Sequence, residues 1–316
     1  MLFRSIGFII RCILALLRII VGNVLGTVKP AWIQLDASGD SGFVTLTLRQ
    51  TQLANQSVGI HQTDWRWQYQ TKKKWAWIDI ANTRHKIYLL LEIPKLPWQQ
   101  TPYAPSNDQL PWTEILDYAC AWAWPARTLD EAATNLTQRI YALGPAIVQY
   151  DCPNGGASHY SAGGNFQLTA FLDRLKGGPG LGQYINCSDC ATILSSFANS
   201  VGCDLWQSRM GYSFDLNEIL AIGSSTWQTA CGWGGFSYHE VAWKDDCDVD
   251  NEVFDACLQI DADANPTGGA PHTALLPVNL KFGNTGDGLY RDRLATSAGR
   301  PNCAPQPTTR TRRNIQ

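Results

Sequence analysis

Tyr184-Ile185-Asn186-Cys187-Ser188-Asp189-Cys190-Ala191 follows the glycine-rich stretch Gly177–Gly182 and opens a periodic run that reaches Val201. Apolar residues at Cys190, Ile193, Leu194, Phe197, Ala198 and Val201 recur at helical intervals. This predicts a helix with one buried stripe, ended by Gly202. Cys187 therefore falls at a helix N-terminus. Unpaired backbone N–H groups and the positive end of the helix dipole favour a thiolate there, and the thiolate is the nucleophilic form of cysteine.

A thiolate needs a base, and the base needs a group that orients it. Phe236 to Trp243 reads as a strand carrying His239 on the same face as Val241 and Trp243. Val253 to Ile260 reads as a second strand, with Phe254, Leu258 and Ile260 on one face and Asp255 on the other. Antiparallel pairing through the acidic turn Lys244–Asn251 brings Asp255 beside His239. Cys187, His239 and Asp255 then follow the logic of a catalytic triad, in which the acid fixes the imidazole tautomer and supports its charge. The chemistry implied is acyl transfer through a thioester. The Cys187 backbone N–H is a natural oxyanion donor, Gln183 and Tyr184 are candidates for the second donor, and Tyr238 and Trp243 are candidates for substrate binding. No cofactor and no metal is expected, since Cys187, Cys190 and Cys203 lack a second close-spaced ligand pair.

These residues resemble the transglutaminase-like branch of the papain-like cysteine enzymes. The family's nucleophile motif looks like C-x-D-x-A followed by an apolar helix ending in glycine, and Cys187, Asp189, Ala191 and Gly202 fall at those places. The order Cys, His, Asp is also similar, with His239 and Asp255 sixteen residues apart. The match covers Trp112 to Asp261. Three positions differ from the pattern: Ile185 replaces a glycine, Glu240 an alanine, and Asp255-Ala256-Cys257 the usual D-P-T. The resemblance implies an α+β fold with helices packed on an antiparallel sheet, and a protease or amidase, a transglutaminase or a deamidase acting on a protein or peptide substrate. Two other readings compete. One is a non-catalytic domain of the same fold used for binding; the other is a thiol–disulfide oxidoreductase built on Cys187-Ser188-Asp189-Cys190.

The 316 residues allow two domains, with 45% hydrophobic and 16% charged residues. A net charge of −2, and no basic stripe beyond Arg310, Arg312 and Arg313, argue against nucleic acid as a partner. Residues 1–29 are apolar, with Arg4, Arg11 and Arg18 at seven-residue intervals. They read as an amphipathic helix, either a membrane-surface segment touching lipid through residues 2–28 or an export leader, so a membrane-associated or exported location is favoured over the cytoplasm.

Period-two alternation through residues 30–100 reads as an antiparallel β-sandwich, with Trp65, Trp67, Trp75 and Trp77 read as core in preference to a carbohydrate- or peptide-stacking surface. Prolines mark a linker at 101–112, and the transglutaminase-like domain with a C-terminal extension occupies 113–297. Thr128-Leu129-Asp130-Glu131 is a capping-box pattern that opens a helix ahead of the nucleophile. Cys152 and His159 form a rival pair, but no helix start activates Cys152, which reads as a structural or disulfide cysteine. Gly177–Gly182 reads as a mobile lip beside the site, and 298–316 as a disordered tail.

Overall fold

Alternating apolar residues in the N-terminal third form one four-stranded sheet in a computed structural model, which describes residues 14–21, 28–34, 36, 38, 40–49, 57–71, 74–98, 110–263 and 269–316. The chain divides into two units, the first comprising residues 1–56 and 60–89. Its strands are β1 (Leu14–Val21), β2 (Ala31–Gln34), β3 (Gly59–Thr71) and β4 (Lys74–Leu89), in the order β2-β1-β3-β4. Trp65 and Trp67 are buried with Val28, and Ile33, Leu46, Leu48, Ile80 and Ala81 pack against them. Their indole N–H groups donate to Thr63 and Thr83 at 2.7 and 2.8 Å, as buried tryptophans require. Arg66–Asp79 and Arg84–Asp64 ion pairs link β3 to β4 among exposed side chains.

Two expectations for this unit change. The segment read as an amphipathic helix is a strand over Leu14–Val21, pairing Ile19 with Trp67 and Val21 with Trp65. Ile19, Ile20 and Val21 are β-branched, and pairing on both edges outweighs the seven-residue arginine spacing. The rest of residues 1–29 lies outside the described residues, apart from Val28 and Lys29. No helix among the described residues is long and apolar enough to cross a membrane. The described strands of this unit also make one sheet, where two packed sheets were expected.

The second unit comprises residues 57–59 and 90–316. It contains α1 (Thr113–Ala123), α2 (Leu129–Tyr141), α3 (Leu168–Leu175) and α4 (Cys187–Ser200). A five-stranded antiparallel sheet runs in the order Leu280–Lys281, Glu252–Phe254, His239–Trp243, Trp206–Met210, Pro305–Thr311. Helix α4 packs on its central strand, and α1 and α2 pack on α4. Thr128 and Glu131 form the expected capping box on α2.

Every residue of α4 is buried, where one apolar stripe was expected. Most of its polar side chains are hydrogen-bonded, although the buried Ser196 hydroxyl has no partner among the described residues. Thr192 and Ser195 hydroxyls donate to Ser188 and Ala191 carbonyls, and Ser200 to Phe197. Asn199 donates to the Leu205 and Leu96 carbonyls. Residues 90–98 therefore belong to this unit and not to the first: Lys95 N–H donates to the Asn199 carbonyl, and the fully buried Trp98 donates to Ser196 O at 2.7 Å. The expected linker falls largely within residues 99–109, outside the described residues.

The C-terminal stretch expected to be disordered is an edge strand of the central sheet. Its arginines find individual partners, which is why their charge does not keep it in solvent. Arg310 and Arg312 guanidinium groups lie 3.8 and 3.6 Å from the Trp206 ring centroid, and Arg312 pairs with Asp204.

Candidate active site

Asn186 is the N-cap of α4 and makes Cys187 its first residue. The Asn186 side chain accepts from Asp189 N–H at 3.0 Å, and Asp189 Oδ2 accepts from Asn186 N–H at 3.2 Å. This reciprocal box leaves the Cys187 and Ser188 N–H groups without an acceptor inside the helix. Asp189 does more than cap. Its Oδ1 accepts from Ser158 Oγ, Tyr160 N–H, Ser161 N–H and Ser161 Oγ at 2.7–2.9 Å, and its Oδ2 accepts from His159 N–H at 2.8 Å. The motif's aspartate thus pins the loop Ser158–Ser161 to the start of the helix.

His239 begins the central strand, where α4 crosses it. Its Nε2 lies 2.9 Å from Asp255 Oδ2, and both side chains are buried. Asp255 is held by two further donors, the Cys257 N–H to Oδ1 and the Tyr290 hydroxyl to Oδ2, each at 2.8 Å. The Phe236 ring stacks on the imidazole, with centroids 5.1 Å apart and planes 7° from parallel. Because Nε2 is committed to Asp255, only Nδ1 remains for a reacting group. It is buried and makes no hydrogen bond among the described residues. Cys187 is the thiol that interacts with this ring. Burial works against the imidazolium, but the Asp255 carboxylate and Cys187 outweigh it and raise the His239 pKa to about 10.

The chain is similar to a red sea bream transglutaminase. The likeness to that solved structure is distant, with a TM-score of 0.37 and 10% identity, over 90% of this chain and 48% of the other. The chain thus spans about half the length of that protein. No protein-family profile and no curated protein matches the sequence.

The remaining expected site residues fall in different places. Gln183 is exposed and its carbonyl accepts from Gln149 N–H, while the Tyr184 ring lies 6.3 Å from His159. Tyr238 is half-buried, with its hydroxyl 3.3 Å from Ser188 Oγ and the Arg209 guanidinium 4.2 Å from its ring centroid. Trp243 is a correction: it is fully buried, donates to Ser208 O at 3.0 Å and packs on Phe282. It shares a face with His239, but four residues of strand separate them by about 13 Å, far enough to leave it in the core.

Three contributors were missed by sequence reading. Tyr290 sits in the stretch read only as a C-terminal extension. Tyr150 is buried near the nucleophile, its pKa raised by burial and then by Cys187. Glu240, noted only as a departure from the family pattern, is buried and accepts from Ser188 Oγ at 2.7 Å. It pairs with Arg313 at 2.5 Å.

Cys152 is bonded to Cys231, which ties the loop before His159 to the segment before Phe236. Burial pushes the thiols of Cys120, Cys247 and Cys303 up to about 12, and raises those of Cys190, Cys203 and Cys257. Cys187 differs from them in its surroundings: a helix N-terminus and an imidazole. The Gly177–Gly182 loop, read as a lip, is fastened by Asp173 to Gly180 N–H and by the Tyr160 hydroxyl to Gly182 O. Among the described residues no group of three or more His, Cys, Asp or Glu could hold a metal ion.

Proposed function

We propose that the chain is a transglutaminase-like cysteine acyl-transfer enzyme acting on peptide or carboxamide bonds. The observation that carries this reading is the buried His239 Nε2–Asp255 Oδ2 bond, which leaves Nδ1 for the sulfur of Cys187. The Cys187 thiolate attacks the carbonyl carbon, and the Cys187 and Ser188 N–H groups receive the developing oxyanion. The C–N bond breaks as His239 passes its Nδ1 proton to the leaving amine, which leaves a thioester on Cys187. Neutral His239 then takes a proton from water or from a second amine as that acceptor attacks. The acyl product departs and the thiolate returns.

Intact-mass analysis with peptide pools, with and without an added amine, tests the reading. It expects a thioester adduct on Cys187 and a product mass that separates hydrolysis from transamidation. Cys187→Ala should abolish both the adduct and labelling by a mild alkylator, whereas Cys190→Ala should retain them, because a buried thiol with a raised pKa reacts slowly. Equal loss in the two variants, with a mixed disulfide trapped only when Cys190 is absent, would transfer the function to thiol–disulfide exchange.

A further inference from the structure

Glu240 follows the base in sequence and sits buried beneath the nucleophile turn, between two arginines. Its Oε1 is taken by Arg313 Nη1 at 2.5 Å, and its Oε2 by Arg313 Nη2 at 3.1 Å and Ser188 Oγ at 2.7 Å. Arg313 is itself buried and gives further hydrogen bonds to Thr192 Oγ1 and Gln207 Oε1, both at 2.8 Å. Arg313 thus neutralises Glu240 from inside the protein.

Arg209 lies opposite Glu240 in the neighbouring strand. Its Nε is 3.6 Å from Glu240 Oε2, too long for a hydrogen bond, and its side chain is 43% exposed. One carboxylate between two guanidinium groups leaves one positive charge, and the outer group carries it. The Arg209 guanidinium makes no hydrogen bond among the described residues. It is held by stacking at 4.2 Å on the Tyr238 ring, whose hydroxyl meets Ser188, the residue after Cys187. A fixed, half-exposed fork of N–H donors, one aromatic ring away from a nucleophile, matches the geometry of a carboxylate.

We propose that Arg209 recognises a carboxylate on the substrate beside the bond attacked by Cys187, so that the preferred acyl donors are acidic peptides. This deepens the acyl-transfer reading and rests on it. Tyr238 is the platform that positions the guanidinium, and Arg313 is the residue that keeps Glu240 from neutralising it.

The test uses the full chain and two alkylators of similar size, iodoacetate and iodoacetamide, with the ratio of their rates at Cys187 read by mass spectrometry. The His239 imidazolium contributes to that ratio in every variant, so the change on altering residue 209 reports its own charge. Arg209→Gln should lower the iodoacetate-to-iodoacetamide ratio about fivefold. Arg209→Glu should lower it further, Arg209→Lys should keep most of it, and high salt should shrink the difference between wild type and Arg209→Gln. The same ratio in wild type and Arg209→Gln overturns the proposal, as does an Arg209→Lys ratio equal to that of Arg209→Gln, which would assign the effect to packing. A wild-type Cys187 that neither reagent labels sinks the acyl-transfer reading instead.

Discussion

In Asp255→Asn the side chain keeps its shape and loses its charge. The Oδ1 place must stay oxygen, because the Cys257 N–H points at it from 2.8 Å. The amide nitrogen then takes the Oδ2 place, 2.9 Å from His239 Nε2 and 2.8 Å from the Tyr290 hydroxyl. An NH₂ facing Nε2 demands an acceptor there, so neutral imidazole carries its proton on Nδ1, toward Cys187. In that tautomer His239 cannot take a proton from the thiol or from an incoming acceptor. The charge is lost as well. Unit charges 2.9 Å apart interact by about 6 kcal/mol at an effective dielectric of about 20. With the carboxylate gone only Cys187 still opposes burial, and the His239 pKa falls from about 10. Turnover should drop about 10³- to 10⁴-fold, the loss expected when a buried catalytic imidazole is held in the wrong tautomer.

Stability carries a second signature. His239 holds its proton more tightly folded than unfolded, so its contribution is complete below about pH 6.5. It declines as pH rises and is gone above about 10. Urea melts of the wild type should show that alkaline decline, and melts of Asp255→Asn should not. Wild-type turnover together with an unchanged alkaline slope would remove Asp255 from the site.

Tyr290→Phe deletes one donor to Asp255 Oδ2 and leaves the His239 bond in place. A loss of about 1.5–3 kcal/mol in urea melts is expected for a hydrogen bond to a charged group, with a smaller fall in turnover than in Asp255→Asn; equal falls would give Tyr290 a part in proton transfer. Arg313→Ala leaves Glu240 buried with the Ser188 hydroxyl and, as the remaining charged partner among the described residues, Arg209 at 3.6 Å, and should destabilise the protein by about 3–5 kcal/mol. Adding Glu240→Ala to it should recover part of that loss in a double-mutant cycle, and strict additivity would show the pair to be uncoupled.

The parts of the site legible in the sequence are those with short-range signatures. The start of α4 was visible because a glycine-rich stretch gives way to an apolar periodicity that Gly202 ends, all within one window. His239 and Asp255 could be placed on neighbouring segments because the sixteen residues between them contain a turn and two alternating runs. Face alone misled at Trp243, since a strand's period reports which side a residue occupies and not how far along it the site extends. Leu14–Val21 was misread for a related reason: its arginine spacing is a local pattern, while its pairing with Trp65 and Trp67 is not.

The arginines of the C-terminal strand show why composition fails at long range. Arg310, Arg312 and Arg313 read as a solvated tail because their partners are scattered through the sequence: Asp246, Asp204 and Glu240, at separations of 64, 108 and 73 residues. Glu240 in turn read as an oddity, a carboxylate next to a buried histidine. Each half of such a pair is costly to bury alone, and only the pair explains either residue. A buried acid in an otherwise apolar strand therefore predicts a distant base. Once Arg313 is supplied, the charge left over is on Arg209, at the surface beside the nucleophile, where a substrate carboxylate can complete it.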